Sequence, residues 1–145
     1  MIKYIKGDLF TSKNSLSHCV SSDFKMGAGI AKEFVKRFPH LRGSILLSKV
    51  TFSRGNCEVV YQHPDDTDDR RVIFNLITKD KYWQKPTLKT MEKAIETMFQ
   101  RAYYFGINII SMPKIGCGLD KLIWEDVEKL IKKHQGDVKV EVYEL

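Results

Sequence analysis

The feature that most restricts the fold of this chain is the segment RVIFNLI at 71 to 77, which is apolar nearly throughout. A strand with one wet face alternates polar and apolar residues, so a run of this kind belongs in the middle of a sheet covered on both sides. Its neighbours agree. CEVVYQ before it is a strand by its β-branched content, and HPDDTDDR between the two is turn chemistry, so the pair forms a hairpin. After it, Pro86-Thr87 opens a long helical period with Leu88, Met91, Ile95, Met98, Phe99, Ala102 and Phe105 on one side and Gly106 just past its end. INIISM is a second buried strand stopped by Pro113, Trp124 to Gln135 is a helix ended by Gly136, and VKVEVYEL alternates cleanly as a last strand. Strands alternating with helices from residue 50 onward predict a layered α/β domain whose sheet is mostly parallel.

The first half supplies the remaining elements. Ile2 to Lys6 and Ser17 to Ser22 read as short strands. Apolar residues at Ile30, Phe34, Val35 and Phe38 follow the glycines of MGAGIA as a helical stripe that Pro39 ends, and a weaker helical segment runs from about Leu41 to Lys49. With 145 residues and neither repeat nor linker, the expectation is one domain over 1–145. No run is apolar enough to span a bilayer and MIKYIKGDLF has no signal-peptide core, so the expectation is an intracellular protein, cytoplasmic or nuclear, with no membrane partner. Cys19, Cys57 and Cys117 are an odd set without metal-ligand spacing, which fits a reducing compartment. The net charge of +6 favours anionic partners.

In such sheets ligands bind beyond the carboxyl ends of strands, and three loops of unusual chemistry fall there: DFKMGAGIA, TKDKYWQKP and PKIGCGLDK. The glycines of MGAGIA let the backbone approach a ligand while the following helix offers unpaired N–H groups to an anion; the alternative is a plain strand-to-helix turn. IGCGLD repeats that placement, and two such loops can clasp one pyrophosphate. The alternative there is turn geometry at Gly116 and Gly118, with Asp120 capping a helix or pairing with Lys121. Lys79 and Asp120 each follow a central strand, on opposite lips of one cleft, where an amine can attack an electrophilic carbon and a carboxylate can move the proton. Against that, Lys79 sits among Lys81, Lys85 and Lys89, and spacing alone favours a surface lysine. His18 reads as a packed or hydrogen-bonded core histidine. Asp65, Asp66, Asp68 and Asp69 read as a solvated hairpin tip rather than cation ligands, and the basic helix residues as solvated faces with no nucleic-acid motif.

These residues carry a resemblance. KGDLF at 6 to 10, HCVSSD at 18 to 23, MGAGIA, LITK at 76 to 79, KPT at 85 to 87 and SMPKIGCGLD with IWEDV at 111 to 127 together resemble the macrodomains. Within that family the match is to the small branch of terminal ADP-ribose protein glycohydrolases, also described as O-acyl-ADP-ribose deacylases. The resemblance spans the chain and implies a three-layer α/β/α fold with a mixed, mostly parallel central sheet. It implies that Asp8 receives the adenine amino group with Leu9 beside it, and that Gly27, Ala28, Gly29 and Ile30 flank the pyrophosphate and distal ribose near Ser21. Gly116, Cys117, Gly118 and Leu119, led in by Pro113 and Ile115, would form the second phosphate loop. Lys79 would attack C1″ of the distal ribose and Asp120 would resolve the adduct, with no cofactor and no metal. The chain departs from that branch in the longer acidic hairpin from Gln62 to Arg70, in Lys81-Tyr82-Trp83 after the lysine, and in Phe24, which either stacks on a ligand or packs.

The implied activity is hydrolysis of the ester joining ADP-ribose to Glu or Asp side chains, with O-acyl-ADP-ribose as a second substrate class. The implied agent is a monomer whose partners are ADP-ribose and ADP-ribosylated proteins. Competing readings are an ADP-ribose reader without turnover, a phosphatase of ADP-ribose 1″-phosphate, and a nucleic-acid-binding module that uses the positive charge, the last the least supported.

Overall fold

The computed structural model describes residues 1–47 and 53–145. Among them, β1 (Ile2–Lys6), β2 (Ser15–Ser21), β3 (Cys57–Tyr61), β4 (Val72–Lys79), β5 (Ile109–Met112) and β6 (Lys139–Glu144) form one sheet in the order β1-β6-β5-β2-β4-β3. Every neighbouring pair is parallel except the β3-β4 hairpin. The helices are α1 (Gly29–Arg37), α2 (Leu41–Leu47), α3 (Leu88–Phe105) and α4 (Trp124–His134). The end of the predicted second helix, at Lys49, lies outside the described residues.

The apolar run of β4 explains the layering. Every residue from Val72 to Thr78 is fully buried. Ile73 and Ile77 face a cluster with Phe34, Leu41 and Ile45 of α1 and α2, while Val72, Phe74 and Leu76 face Met91, Ile95 and Met98 of α3 with Val127 and Ile131 of α4. A strand buried on both faces has no side for a polar alternate, which is why its sequence lacks one. The polar exception, Asn75, pairs across the strands with His18 of β2, whose Nε2 lies 2.6 Å from Asn75 Oδ1 and whose ring stacks on Phe34 at 3.9 Å.

α3 is capped at both ends. Thr87 Oγ1 accepts from the Thr90 amide and Thr90 Oγ1 accepts from the Thr87 amide, each at 3.1 Å, and Gly106 closes the helix at a φ of +69° that a side chain would strain. Its buried stripe is shorter than its sequence period: Leu88 and Phe105, the first and last residues, are 40% and 38% exposed. In the acidic hairpin, Asp69 takes two hydrogen bonds from the Arg71 guanidinium, at 3.0 and 2.7 Å, which hold its carboxyl down to about 2. Among the described residues no His, Cys, Asp and Glu cluster is arranged for a metal ion, and no helix is long and apolar enough to cross a membrane.

The strand order decides where a site can form. β4 and β5 flank β2 and run parallel to it, so the loops leaving all three open at one end of the sheet.

Candidate active site

Lys79 is aimed by an irregularity in the sheet. The β2-β4 register passes from Val20↔Ile77 to Ser21↔Lys79 and leaves Thr78 unmatched. Such a bulge re-aims the residue that follows it. The Ser22 amide then donates to the Lys79 carbonyl and the Ser22 hydroxyl to the Asp80 carbonyl, both at 2.9 Å, which pins the end of β4 against the loop after β2. Thr78 is carried with it, its hydroxyl buried without a partner among the described residues. From this position Lys79 Nζ donates to Asp120 Oδ1 at 2.6 Å, with the two side chains only 14% and 13% exposed. An ion pair removed from water contributes little to stability after desolvation, so its presence in a cleft points to chemistry rather than to folding. Cys19 lies against the pair, and burial, reinforced by the Asp120 carboxylate, pushes its thiol up, so it stays protonated and is a poor nucleophile.

The first glycine loop supplies unpaired amides. α1 starts at Ala28 and Gly29 with no side chain capping it, so its first-turn N–H groups remain available where Ala28, Gly29, Ile30 and Ala31 line the cleft. Gly29 has a φ of +60°, which a side chain would strain, and a Cβ there would lie 3.2 Å from Leu119 Cδ1, so the two glycine loops approach closely. Phe24 and Met26 take left-handed φ values of 49° and 50° although neither is glycine, and both side chains are buried. Phe24 therefore packs and does not face a ligand. Arg42 Nε donates to its carbonyl at 2.7 Å, one of the contacts that hold this strained loop.

The second loop turns on Gly116, at φ +77°, where a Cβ would come within 2.5 Å of Met91 Cε. The Leu122 amide closes the turn on the Gly116 carbonyl at 2.7 Å. Lys85 Nζ reaches across to the Leu119 carbonyl and ties the loop after Lys79 to this one.

The three loops enclose a cavity of about 730 Å³. Ser21, Gly27, Ala28, Gly29, Ile30, Lys79, Pro113, Ile115, Gly116, Gly118, Leu119 and Asp120 all line it. Asp8, Leu9 and Cys117 do not. Asp8 Oδ1 caps the short turn after β1 through the Phe10 amide at 2.9 Å, with Arg37 3.7 Å from its other oxygen; Leu9 is buried in the α1 face of the core; and the Cys117 thiol donates to the Ile115 carbonyl. Asp120 neither caps α4, whose N-cap is Ile123, nor needs Lys121.

Sequence reasoning missed Asp23. Its carboxylate accepts from the Ser21 hydroxyl at 2.5 Å, the Lys25 amide at 3.3 Å and, across the cleft, the Tyr82 amide at 3.1 Å. Burial pushes its pKa up, but these hydrogen bonds and Lys81 outweigh that and hold it below the usual carboxylate range. An aspartate two residues before an amide it can accept was the only local signal; the bridge to Tyr82 is a long-range contact.

No family model matches the sequence. The chain is 39% identical to the human ADP-ribose glycohydrolase OARD1, over 99% of this chain and 91% of that one. It is 31% identical to an ADP-ribose 1″-phosphate phosphatase of Meyerozyma guilliermondii, over 98% and 97%. Among solved structures, the macrodomain of Mycobacterium tuberculosis DarG matches with a TM-score of 0.86 at 26% identity, over 100% of this chain and 98% of that one.

Proposed function

The chain belongs to the macrodomain family and is a hydrolase of the ADP-ribose glycohydrolase kind, and on that premise we propose that it cleaves ADP-ribose from Glu and Asp side chains, and deacylates O-acyl-ADP-ribose, through Lys79 and Asp120. One observation carries this reading: Lys79 Nζ and Asp120 Oδ1 stand 2.6 Å apart inside the cavity. The pyrophosphate sits on the uncapped first-turn amides of α1, with the Gly116 to Leu119 loop lining the other side of the cavity, and the distal ribose is presented to Lys79.

The chemistry balances with these two residues and water. Asp120 takes a proton from Lys79 along their hydrogen bond and leaves a neutral amine. The amine lone pair attacks C1″, the bond from C1″ to the ester oxygen breaks, and the Glu or Asp side chain departs with the electron pair as a carboxylate. The proton held by Asp120 passes to bulk water. In the lysine adduct Nζ passes a proton to the ring oxygen O4″ as the C1″–O4″ bond breaks, and the remaining nitrogen lone pair forms a protonated imine with C1″; Asp120 then deprotonates a water that adds to C1″ and returns that proton to Nζ. The C1″–N bond breaks with its electron pair on the amine, which takes the proton of the new C1″ hydroxyl to become the ammonium, and O4″–H adds back to the C1″ aldehyde to close the ribose of ADP-ribose. One water is consumed per ester cleaved, by a monomer acting inside the cell on ADP-ribosylated proteins without metal or cofactor.

A time course of ADP-ribose release from a glutamate-linked conjugate, run with wild type and Lys79→Ala, tests this. Wild type should release it and Lys79→Ala should not, while ADP-ribose affinity stays within about three-fold because the loops carry binding. Release by both proteins, or by neither, contradicts it. Phosphate release from ADP-ribose 1″-phosphate by a protein inert toward the ester would move the reading to the activity named for the Meyerozyma relative.

A further inference from the structure

The mouth of the cavity carries a surface that this chemistry leaves unused. Tyr82 and Trp83 follow Lys79 by three and four positions, and their side chains are 61% and 68% exposed. Among the described residues neither ring meets another aromatic ring. The turn that presents them is nevertheless braced: Asp23 holds the Tyr82 amide, the Lys81 amide donates to Gln84 Oε1 at 2.9 Å, and the Gln84 amide donates to the Lys81 carbonyl at 3.0 Å. Adjacent rings displayed to water on a fixed turn are a preformed contact surface. Lys25 and Lys81 are exposed beside it, and among the described residues neither forms an ion pair within 4.0 Å. Asp23, the carboxylate between them, keeps its negative charge but is turned to the Ser21 hydroxyl and the Lys25 and Tyr82 amides, so two lysines against one carboxylate leave the surface positive.

Position supplies the ligand. With ADP-ribose in the cavity as set out under Proposed function, C1″ faces Lys79, and the group leaving C1″ emerges between Tyr82 and Leu119, both of which line the cavity. Lys81 and Trp83 flank Tyr82 in the chain, just outside that exit. We propose that Trp83 and Lys81, with Tyr82 and Lys25, form a subsite for the polypeptide side of the substrate, selective for a modified carboxyl flanked by further Asp or Glu residues. The inference rests on that reading of the cavity. Charge complementarity selects an acidic segment, and aromatic area beside unpaired lysines is how such a rim gains both contact and steering. A single-stranded nucleic acid would instead need successive stacking platforms along a groove, whereas these rings occupy one turn at one exit.

The test compares wild type, Trp83→Ala and Lys81→Gln on three substrates: an ADP-ribosylated glutamyl peptide with acidic flanks, the same peptide with neutral flanks, and O-acetyl-ADP-ribose. Wild type should favour acidic over neutral flanks by about ten-fold in kcat/KM. Trp83→Ala should lose about ten-fold on the peptides and less than about two-fold on O-acetyl-ADP-ribose. Lys81→Gln should lose most of the flank preference and its dependence on salt. Equal losses on all three substrates, no loss at all, or competition by a single-stranded oligonucleotide that matches the acidic peptide would overturn the subsite. If wild type releases nothing from any substrate, the catalytic reading fails and the subsite is decided by binding. Lys79→Ala should then bind the acidic conjugate about ten-fold more tightly than free ADP-ribose, an advantage lost on adding Trp83→Ala; equal affinities would refute it.

Discussion

Lowering the pH should destabilise this fold through one buried side chain. His18 has no exposed surface, and its Nε2 lies 2.6 Å from Asn75 Oδ1. The Asn75 amide nitrogen already donates to the Glu58 and Ile73 carbonyls, at 3.0 and 3.2 Å, so oxygen faces the ring and His18 donates through Nε2. Nδ1 is then the bare nitrogen, and it is buried with no partner among the described residues. A second proton would place a charge and an unanswered N–H against Phe34. Burial accordingly lowers the pKa from 6.5 to about 4, against a smaller opposing effect of the Asn75 hydrogen bond. As pH falls below 6.5 the unfolded chain takes up this proton while the folded chain resists until about 4. The contribution is therefore complete above 6.5, erodes by about 1.4 kcal/mol per pH unit, and is gone below about 4, a total of about 3 kcal/mol. Urea denaturation across that window, with wild type and His18→Gln side by side, isolates it, because Gln keeps an N–H for Asn75 and does not titrate. The stability difference between the two proteins should shrink by about 3 kcal/mol from the top of the window to the bottom. Parallel profiles would refute the argument.

Two further substitutions probe the site's scaffold. Gly116→Ala combines a left-handed φ of +77° with a Cβ 2.5 Å from Met91 Cε, so we expect a loss of about 2 kcal/mol in thermal denaturation and at least about ten-fold weaker ADP-ribose binding by calorimetry. An unchanged melting temperature would show that the loop accommodates a side chain. Thr78→Val removes a buried hydroxyl that has no partner among the described residues and keeps the branched shape, so it should be neutral or stabilising by about 1 kcal/mol. A clear loss would mean that the hydroxyl is satisfied in solution.

What the sequence disclosed follows from how local each signal is. β4 was legible because dryness on both faces is written into every residue from Val72 to Ile77 except Asn75, and α3 because its period, its Thr87 cap and its Gly106 stop agree. β2 begins at Ser15, two residues earlier than its composition indicated, because Ser15 and Leu16 pair with Ile110 and Ser111 of β5, a partner remote in sequence. The bulge that carries β4 on to Lys79 is likewise a property of two strands together. Lys79 and Asp120 are 41 positions apart; their places beyond two central strands put them on one cleft, but spacing alone favoured a surface lysine until the resemblance of the surrounding motifs was added. The left-handed backbone at Phe24 and Met26 had no signature, since neither residue is a glycine and what sustains it is tertiary: the packing of their side chains and the Arg42 hydrogen bond to the Phe24 carbonyl.

The claim at the centre is that Lys79 forms a bond to C1″ which Asp120 is needed to break. Intact mass spectrometry of Asp120→Ala, incubated with a glutamate-linked ADP-ribosylated peptide and then digested to locate any adduct, measures it directly. A mass increase of one ADP-ribose less one water, carried on Lys79 and missing from the Lys79→Ala control, is the predicted result. An unmodified Asp120→Ala protein that still releases ADP-ribose would contradict it.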